Sequence, residues 1–233
     1  MSETRPSNPR VIALVPAGGG GLRFGGPVAK QFVVVAGRSL LAWTLSRLIT
    51  AGVVDIVVAL PDGVPMPEDA KLGDGIRTVV GGPTRQDSVA NCLAAAPGSD
   101  TDLLLVHDGA RGAVDPADVR NTIAAVGDSD GAVLGRDLSD TLKRIERGRI
   151  RGTLDREGLF RAETPQVFKR GVFSRALDLA RRDSVLGTDE AALVERLPGS
   201  VVMAVLAKHP NPKLTAPADL PLFEALLGRG IVR

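Results

Sequence analysis

The sequence has little cysteine, few aromatic residues and no long apolar run, and each scarcity excludes a class of protein. Its single cysteine, Cys92, excludes an intramolecular disulfide framework and a cysteine-rich metal site. Aromatic residues make up 3% of the chain and the net charge is only +2, so we expect no binding of nucleic acid. The polar start MSETRPSNPR and the lack of a long apolar span predict a cytoplasmic protein without membrane contact.

Short apolar runs alternate with amphipathic stretches, an order typical of an α/β protein. The predicted strands of the first half are RVIALVPA, VVDIVVALP, RTVVGG, DLLLVHDGAR and GAVLGRDL. The predicted helices between them are SLLAWTLSRLITA, TRQDSVANCLAAA and DPADVRNTIAAV, the last with Asp115 as N-cap and Pro116 at its first position. This order predicts a mostly parallel sheet with helices on both faces. Further on, we predict helices RGVFSRALDLARR, TDEAALVERL and ADLPLFEALL and a strand SVVMAVLA.

One stretch breaks this rhythm. Residues from about 138 to 168 are charged, punctuated by glycine, and alternate apolar with basic side chains, which predicts hairpin strands that form an arm off the core. We therefore predict a disordered N-terminus over residues 1–9 and a single domain over residues 10–233 that carries this arm.

The segment VPAGGGGLRFGGPVAKQF, residues 15–32, holds six glycines directly after the first predicted strand. In neither possible register does it contain the third glycine of the dinucleotide-binding fingerprint. It is not a P-loop either, because Pro27 stands where a P-loop has its lysine. What remains is a glycine-rich backbone that can approach a polyphosphate closely, with Arg23 and Lys30 to neutralise its charge. A flexible turn with solvated cations is the alternative.

The motif HDGAR also follows a predicted strand. Ligands of open α/β sheets bind outside the carboxyl ends of the strands, so Asp108 and Arg111 are predicted to face the same crevice as the glycine-rich loop. Asp108 could steer a divalent ion or a hydroxyl group, and Arg111 could neutralise phosphate charge. Alternatively, Asp108 only accepts hydrogen bonds from loop amides. His107 is expected to be a hydrogen-bonded core residue, and Cys92 a small core residue.

Seven segments together carry a family resemblance. They are PAGGGGLRFGGPVAKQF, GGPTRQDSV, LLLVHDGAR, SDTLKR, TLDREGLFRAETPQVF, TDEAALVE and NPKLTAPADL. In order and approximate spacing, the chain resembles 2-C-methyl-D-erythritol 4-phosphate cytidylyltransferases from Val11 to Leu220. The resemblance implies a Rossmann-like nucleotidyltransferase sandwich whose protruding β-arm clasps the second subunit of a homodimer. It also implies transfer of CMP from CTP to methylerythritol phosphate, with Mg²⁺ and release of pyrophosphate, in non-mevalonate isoprenoid precursor biosynthesis.

The resemblance also implies roles for individual residues. Arg23 and Lys30 match the catalytic cations on the triphosphate. The implied CTP-binding residues are Ala17, Gly18, Gly19, Gly20, Gly21, Gly82, Asp87 and Ser88. The residues implied to position the acceptor are Asp108, Arg111, Thr141, Arg156, Thr164 and Lys213. Asp108 is also the candidate metal ligand, although the triphosphate could hold Mg²⁺ instead, and Thr141 and Arg156 are expected to come from the partner's arm.

The chain departs from the family pattern at several positions around the expected site. They are Gly18, Leu22, Ala29, Gly109 and Gly112, and we expect the changes to relax the backbone there. Pro212, directly before Lys213, restricts the chain in another place. Two other functions stay open at this point: a cytidylyltransferase for another polyol phosphate such as ribitol 5-phosphate, and a nucleotide-binding regulatory protein without catalysis.

Overall fold

The structure, a computed structural model, describes residues 9–19 and 29–228, and eleven strands and six helices lie in these ranges. The strands are β1 (Val11–Pro16), β2 (Val34–Val35), β3 (Arg38–Ser39), β4 (Asp55–Leu60), β5 (Ile76–Val80), β6 (Leu103–Val106), β7 (Gly131–Asp137), β8 (Leu142–Glu146), β9 (Arg149–Leu154), β10 (Phe160–Lys169) and β11 (Val202–Leu206). The α-helices are α1 (Leu40–Thr50), α2 (Arg85–Ala95), α3 (Pro116–Ala125), α4 (Arg170–Arg182), α5 (Glu190–Val194) and α6 (Leu220–Gly228). Short 3-10 turns cover Lys30–Phe32, Glu68–Ala70 and Pro217–Asp219.

Seven strands form the central sheet in the order β11-β7-β10-β6-β1-β4-β5. β1 pairs in parallel with β4 and β6, β4 with β5, and β7 with β11. Only β10 runs antiparallel to its two neighbours, β6 and β7. The predicted α/β class with a mostly parallel sheet is therefore confirmed. Within the described residues, no helix is both long and apolar enough to cross a membrane.

Alternate side chains of β1 pack into two separate cores, because successive side chains of a strand point to opposite faces of its sheet. Ala13 and Val15 pack with apolar residues of α1 and α3. Ile12 and Leu14 pack on the other face with residues of α2 and α4, among them Cys92. Cys92 is completely buried, as expected of a core residue, and burial raises the pKa of its thiol to about 12. The strand is apolar throughout because both of its faces are covered.

Capping side chains fix the starts of the helices. The Ser39 hydroxyl accepts the Ala42 N–H at the start of α1, at 3.2 Å. Asp115 caps α3 by accepting the Ala117 N–H at 2.7 Å, with Pro116 at the first helical position as predicted. Each cap satisfies a backbone donor that the helix itself leaves unpaired. The caps thereby also set where the preceding loops end.

The arm is shorter than the sequence predicts. β8 and β9 pair with each other in a separate two-stranded sheet, as expected of a hairpin. β10 instead enters the central sheet, where Gln166, Val167 and Phe168 pair with both β6 and β7. Because Val167 and Phe168 are completely buried, their burial in the core stabilises the sheet pairing over a continued hairpin. The end of the predicted range 138–168 therefore belongs to the core.

Candidate functional site

A crevice of about 600 Å³ lies at the carboxyl ends of β1 and β6. Its walls come from the loops after these strands, from the start of α2 and from the segment before α6. The predicted site residues that line it are Ala17, Gly18, Gly19, Lys30, Gly82, Ser88, Asp108 and Lys213. This is the position at which open α/β sheets bind ligands.

Other predicted residues fall outside this lining or outside the described part of the chain. Gly20, Gly21 and Arg23, together with the departure at Leu22, fall outside the described residues. Arg111 forms an ion pair with the Asp108 carboxylate, and the Thr164 hydroxyl accepts the Asp108 N–H. Thr141 and Arg156 lie at the arm, where both are exposed, and do not line the crevice of their own chain.

A buried glutamine holds the first wall of the crevice. Gln31 Nε2 donates to the Ala17 carbonyl at 2.5 Å and to the Gly19 carbonyl at 3.3 Å. The Ala17 N–H in turn donates to the Ala59 carbonyl of β4 at 2.9 Å. Gln31 thus fixes the beginning of the glycine-rich loop, and sequence reasoning missed this role. Its position directly after Lys30 was the available signal.

The second wall is the start of α2, which is built from a capping box. Asp87 accepts the Thr84 N–H at 3.1 Å, and the Thr84 hydroxyl accepts the Asp87 N–H at 3.1 Å. Ser88 accepts the Gly82 N–H at 3.1 Å and donates to the Thr84 carbonyl at 3.0 Å. The Asp87 carboxylate is therefore engaged in the capping box and fixes the start of α2. Its predicted contact with CTP stays a prediction.

Gly82 leaves no room for a side chain. A Cβ placed there would lie 2.3 Å from the Asp87 Cβ and 3.0 Å from its backbone carbon. We expect Gly82→Ala to lower the free energy of unfolding by about 1–3 kcal/mol, because the loop or the capping box must move. Gly19→Ala, in the opposite wall, meets no described atom within 4 Å and should change it by less than about 0.5 kcal/mol. Urea titration of both variants measures this, and equal stability would refute the steric account.

The third wall centres on Asp108, whose buried carboxylate faces three cations. Its Oδ1 lies 3.0 Å from Arg85 Nε, and its Oδ2 lies 2.7 Å from Lys213 Nζ and 3.6 Å from Arg111 Nε. Burial alone would raise the pKa of Asp108, but Arg85, Lys213 and Arg111 outweigh it and hold that pKa well below its usual range. Asp108 is therefore ionised, and its carboxylate holds the side chains of Arg85, Lys213 and Arg111 in position.

Arg85 is a site residue that sequence reasoning missed. Besides Asp108, it binds Glu190 at the start of α5, with Nη1 2.6 Å from Oε1. Burial disfavours its charge, yet Glu190 and Asp108 together raise the pKa of Arg85.

Asp189 caps α5 and also accepts a hydrogen bond from Gln166 Nε2 at 2.8 Å, which gives the aspartate of the TDEA motif a structural role. Among the described residues, the charged ones that line the crevice are three cations, Lys30, Arg85 and Lys213, and one carboxylate, so the crevice favours an anionic ligand.

Two of the unusual glycines are packed rather than loose. A Cβ at Gly112 would lie 2.7 Å from Leu40 Cδ1 and 2.9 Å from Trp43 Cβ, and one at Gly18 would lie 3.1 Å from Gly81 Cα. The expected relaxation of the backbone is thus wrong for Gly112, because its missing side chain lets the HDGARG loop pack directly on α1. At Gly18 the glycine permits a close approach of two crevice loops.

Lys213 reaches the crevice despite the preceding proline. Asn211 is buried, and its Nδ2 donates to the Thr164 carbonyl at 2.7 Å while its own carbonyl accepts from Arg111 Nη1 at 2.6 Å. The Leu214 N–H donates to the Ala110 carbonyl at 2.9 Å. These contacts on both sides of Pro212 fix the segment that carries Lys213.

Protonation of the buried His107 links stability to pH. Burial lowers the pKa of His107 from 6.5 to about 4, although Asp108 and the Arg111 carbonyl favour its charged form. The unfolded chain binds this proton first, so His107 stabilises the fold fully above pH 6.5 and loses this contribution as the pH falls towards about 4. The loss is about 3 kcal/mol. Urea titrations across this window should show a steeper decline for the wild type than for His107→Gln, and parallel curves would contradict the assignment.

The described residues do not form a metal site of their own. They contain no group of three or more histidine, cysteine, aspartate or glutamate side chains that could hold a metal ion. Both oxygens of Asp108, the predicted ligand, already face cationic side chains. Direct coordination by Asp108 would require these ion pairs to break, so the residues present do not fit that part of the prediction.

A mostly parallel α/β sheet with a cation-rich, glycine-walled crevice at the ends of its strands defines a nucleotide-binding enzyme of the nucleotidyltransferase class. The chain belongs to the 2-C-methyl-D-erythritol 4-phosphate cytidylyltransferase family, whose family model matches residues 11–229. Proteins of this name from Stenotrophomonas maltophilia and Geotalea uraniireducens are 42% and 38% identical to it, over 94% of this chain and 97% of theirs. The crystal structure of the Thermus thermophilus protein of this name is similar with a TM-score of 0.80 and 36% identity, covering 93% of this chain and 98% of that one. The predicted family, fold and enzyme class are thereby confirmed.

Proposed function

We propose that this chain transfers CMP from CTP to 2-C-methyl-D-erythritol 4-phosphate, giving CDP-methylerythritol and pyrophosphate for isoprenoid precursor synthesis. Membership in the family supports this reaction. The observation that carries it is the crevice itself, whose described lining combines glycine-rich backbone with the cations Lys30, Arg85 and Lys213 and the ionised Asp108. Such a surface suits a triphosphate and a second phosphorylated substrate side by side.

The reaction requires alignment and charge neutralisation rather than a general base. An oxygen of the acceptor's phosphate, already anionic near neutral pH, attacks the α-phosphorus of CTP. The bond from that phosphorus to the oxygen bridging to the β-phosphorus breaks, and pyrophosphate leaves with the electron pair. Holding the two phosphates in line and stabilising the departing charge supplies the rate acceleration.

The cations divide between the two substrates in this proposal. Lys30, at the start of its 3-10 turn, binds the triphosphate together with Arg23, which lies outside the described residues. Lys213 and Arg111 orient the attacking phosphate, and their shared partner Asp108 keeps them in place. Gly18, Gly82 and Ser88 line the part of the crevice proposed for cytidine and its phosphates.

Enzymes of this family depend on a divalent metal ion in general. Because the described residues do not fit a protein-held ion, we propose that Mg²⁺ is bound by the triphosphate.

We further propose that the protein acts as a homodimer in which the arm of one subunit completes the crevice of the other. Arg156 and Thr141 do not line the crevice of their own chain, which supports a role for them in the crevice of a partner. On the arm, Ile145 and Ile150 are 69% and 67% exposed, an apolar surface suited to a partner. Light scattering should give about twice the 24.3 kDa of one chain, and a monomer mass would contradict this proposal.

The substrate is tested by pyrophosphate release from CTP and Mg²⁺ with methylerythritol phosphate, with ribitol 5-phosphate or without acceptor. We expect release with methylerythritol phosphate alone. Release with ribitol 5-phosphate alone would keep the chemistry and change the substrate. Tight CTP binding without any release would indicate a regulatory protein instead.

A further inference from the structure

His107 is buried beside the crevice and takes no part in the proposed chemistry. It is completely buried at the end of β6, directly before Asp108. Its Nδ1 lies 3.0 Å from the Thr164 hydroxyl, and its Nε2 lies 3.3 Å from the Arg111 carbonyl oxygen. The ring therefore contacts two predicted acceptor-positioning residues and adjoins a third.

These contacts fix the tautomer of the ring. A carbonyl oxygen can only accept, so Nε2 carries the hydrogen and donates to Arg111. In a neutral imidazole Nδ1 is then an acceptor, and the Thr164 hydroxyl donates to it. The Thr164 oxygen in turn accepts the Asp108 N–H at 3.1 Å. These three hydrogen bonds therefore all run in one direction, with Asp108 donating to Thr164, Thr164 to His107, and His107 to Arg111.

A neutral ring is the form that suits this place. Arg85 lies against Oδ1 of Asp108, and Lys213 and Arg111 lie against Oδ2, so a further positive charge would add to three cations. Protonation would also place a hydrogen on Nδ1 and reverse the Thr164 hydroxyl. Within the described part of the chain, Asp108 is the one carboxylate in contact with all three cations. Thr164 accepts the Asp108 N–H at the start of the 108–111 turn, and His107 donates to the Arg111 carbonyl at its end.

We propose that His107 is a positioning residue for cytidylyl transfer. It holds the 108–111 turn against β10, so that the side chains of Asp108 and Arg111 are correctly placed to bind the acceptor substrate. It touches no substrate itself. This inference rests on the proposed function, since it concerns the acceptor half of the same crevice. A buried core histidine of purely structural value would affect the folded fraction but not the kinetics of the folded enzyme.

Three substitutions separate the two hydrogen bonds. His107→Asn keeps an acceptor near the Nδ1 position, His107→Gln keeps a donor near the Nε2 position, and His107→Leu keeps neither. We expect kcat/KM for methylerythritol phosphate at saturating CTP to fall about 30-fold in His107→Leu, and less in the two amide variants. The dissociation constant of CTP should change less than about twofold in all three, because the side-chain hydrogen bonds of His107 among the described residues go to Arg111 and Thr164, which are assigned to the acceptor.

Circular dichroism at the assay temperature establishes that each variant is folded, and the amide variants serve if His107→Leu is not. In the wild type, a long-range ¹H–¹⁵N spectrum should show the Nε2-protonated neutral ring from about pH 8 to about pH 5. Folded variants with wild-type kcat/KM, equal loss of CTP affinity and turnover, or an Nδ1-protonated ring would each overturn the proposal. A wild type inactive with every acceptor would instead refute the proposed function.

Discussion

Lys30→Ala is expected to lower the turnover number at least about a hundredfold, which corresponds to roughly 3 kcal/mol of lost transition-state stabilisation. Negative charge develops on the departing pyrophosphate, and Lys30 lines the crevice at the glycine-rich wall. A cation that binds the departing pyrophosphate in the transition state more strongly than it binds the ground-state triphosphate raises turnover more than it raises the affinity for CTP. The KM for CTP should therefore change much less than the turnover number. Pyrophosphate release under steady-state conditions measures both.

Lys71→Ala is the matched control for this variant. Lys71 is an exposed lysine that pairs with Glu68 at 2.5 Å outside the crevice, so its loss removes one positive charge without touching the site. Its turnover should equal that of the wild type. Wild-type turnover in Lys30→Ala, or equal losses in both variants, would show that Lys30 has no specific role.

Asp108→Asn should lower both stability and turnover. The substitution preserves the shape of the side chain but removes the charge that faces Arg85, Lys213 and Arg111. Breaking a buried ion pair from one side costs about 3–5 kcal/mol, because the partner charges stay buried without compensation. The amide NH₂ also places a donor against these donors. We expect turnover to fall at least about a hundredfold, since Lys213 and Arg111 lose their common anchor.

The control is Asp178→Asn on α4, where the carboxylate is exposed and pairs only with Arg181 at 3.6 Å among described contacts. Its free energy of unfolding should change by less than about 0.5 kcal/mol. Urea titration at neutral pH compares the two variants, and turnover is measured on folded protein. An Asp108→Asn variant as stable and as active as Asp178→Asn would contradict the central position given to this carboxylate.

Local signals explain why much of the fold could be predicted. The caps at Ser39 and Asp115 use side chains adjacent to the helices they start, and α4 begins and ends at the predicted residues, 170 and 182. β10 is not predicted as a core strand because Arg161 and Ala162 near its start are exposed, as in an arm, while the residues from Glu163 to Phe168 are buried. Whether such a strand joins an arm or a sheet depends on distant neighbours rather than on its own pattern.

The site residues also divide into those that local sequence patterns indicate and those whose role depends on distant parts of the chain. The crevice residues Lys30, Ser88 and Asp108 lie in short motifs directly after strands, so sequence patterns could place them near one another. Arg85 and Glu190 are 105 positions apart, and no local pattern pairs them. The glycines at 18 and 112 were interpreted from their own flexibility, whereas their role depends on Gly81 and Trp43, which only the folded chain brings close.

The most direct test of cytidylyl transfer in this crevice is ³¹P NMR of CTP, Mg²⁺ and methylerythritol phosphate incubated with the wild type or with Lys30→Ala. With the wild type, the triphosphate signals should be replaced by those of a diphosphate diester and free pyrophosphate in equal amounts. Lys30→Ala should leave the triphosphate nearly unchanged over the same time. Unchanged CTP with the folded wild type, or equal product with both proteins, would contradict the account.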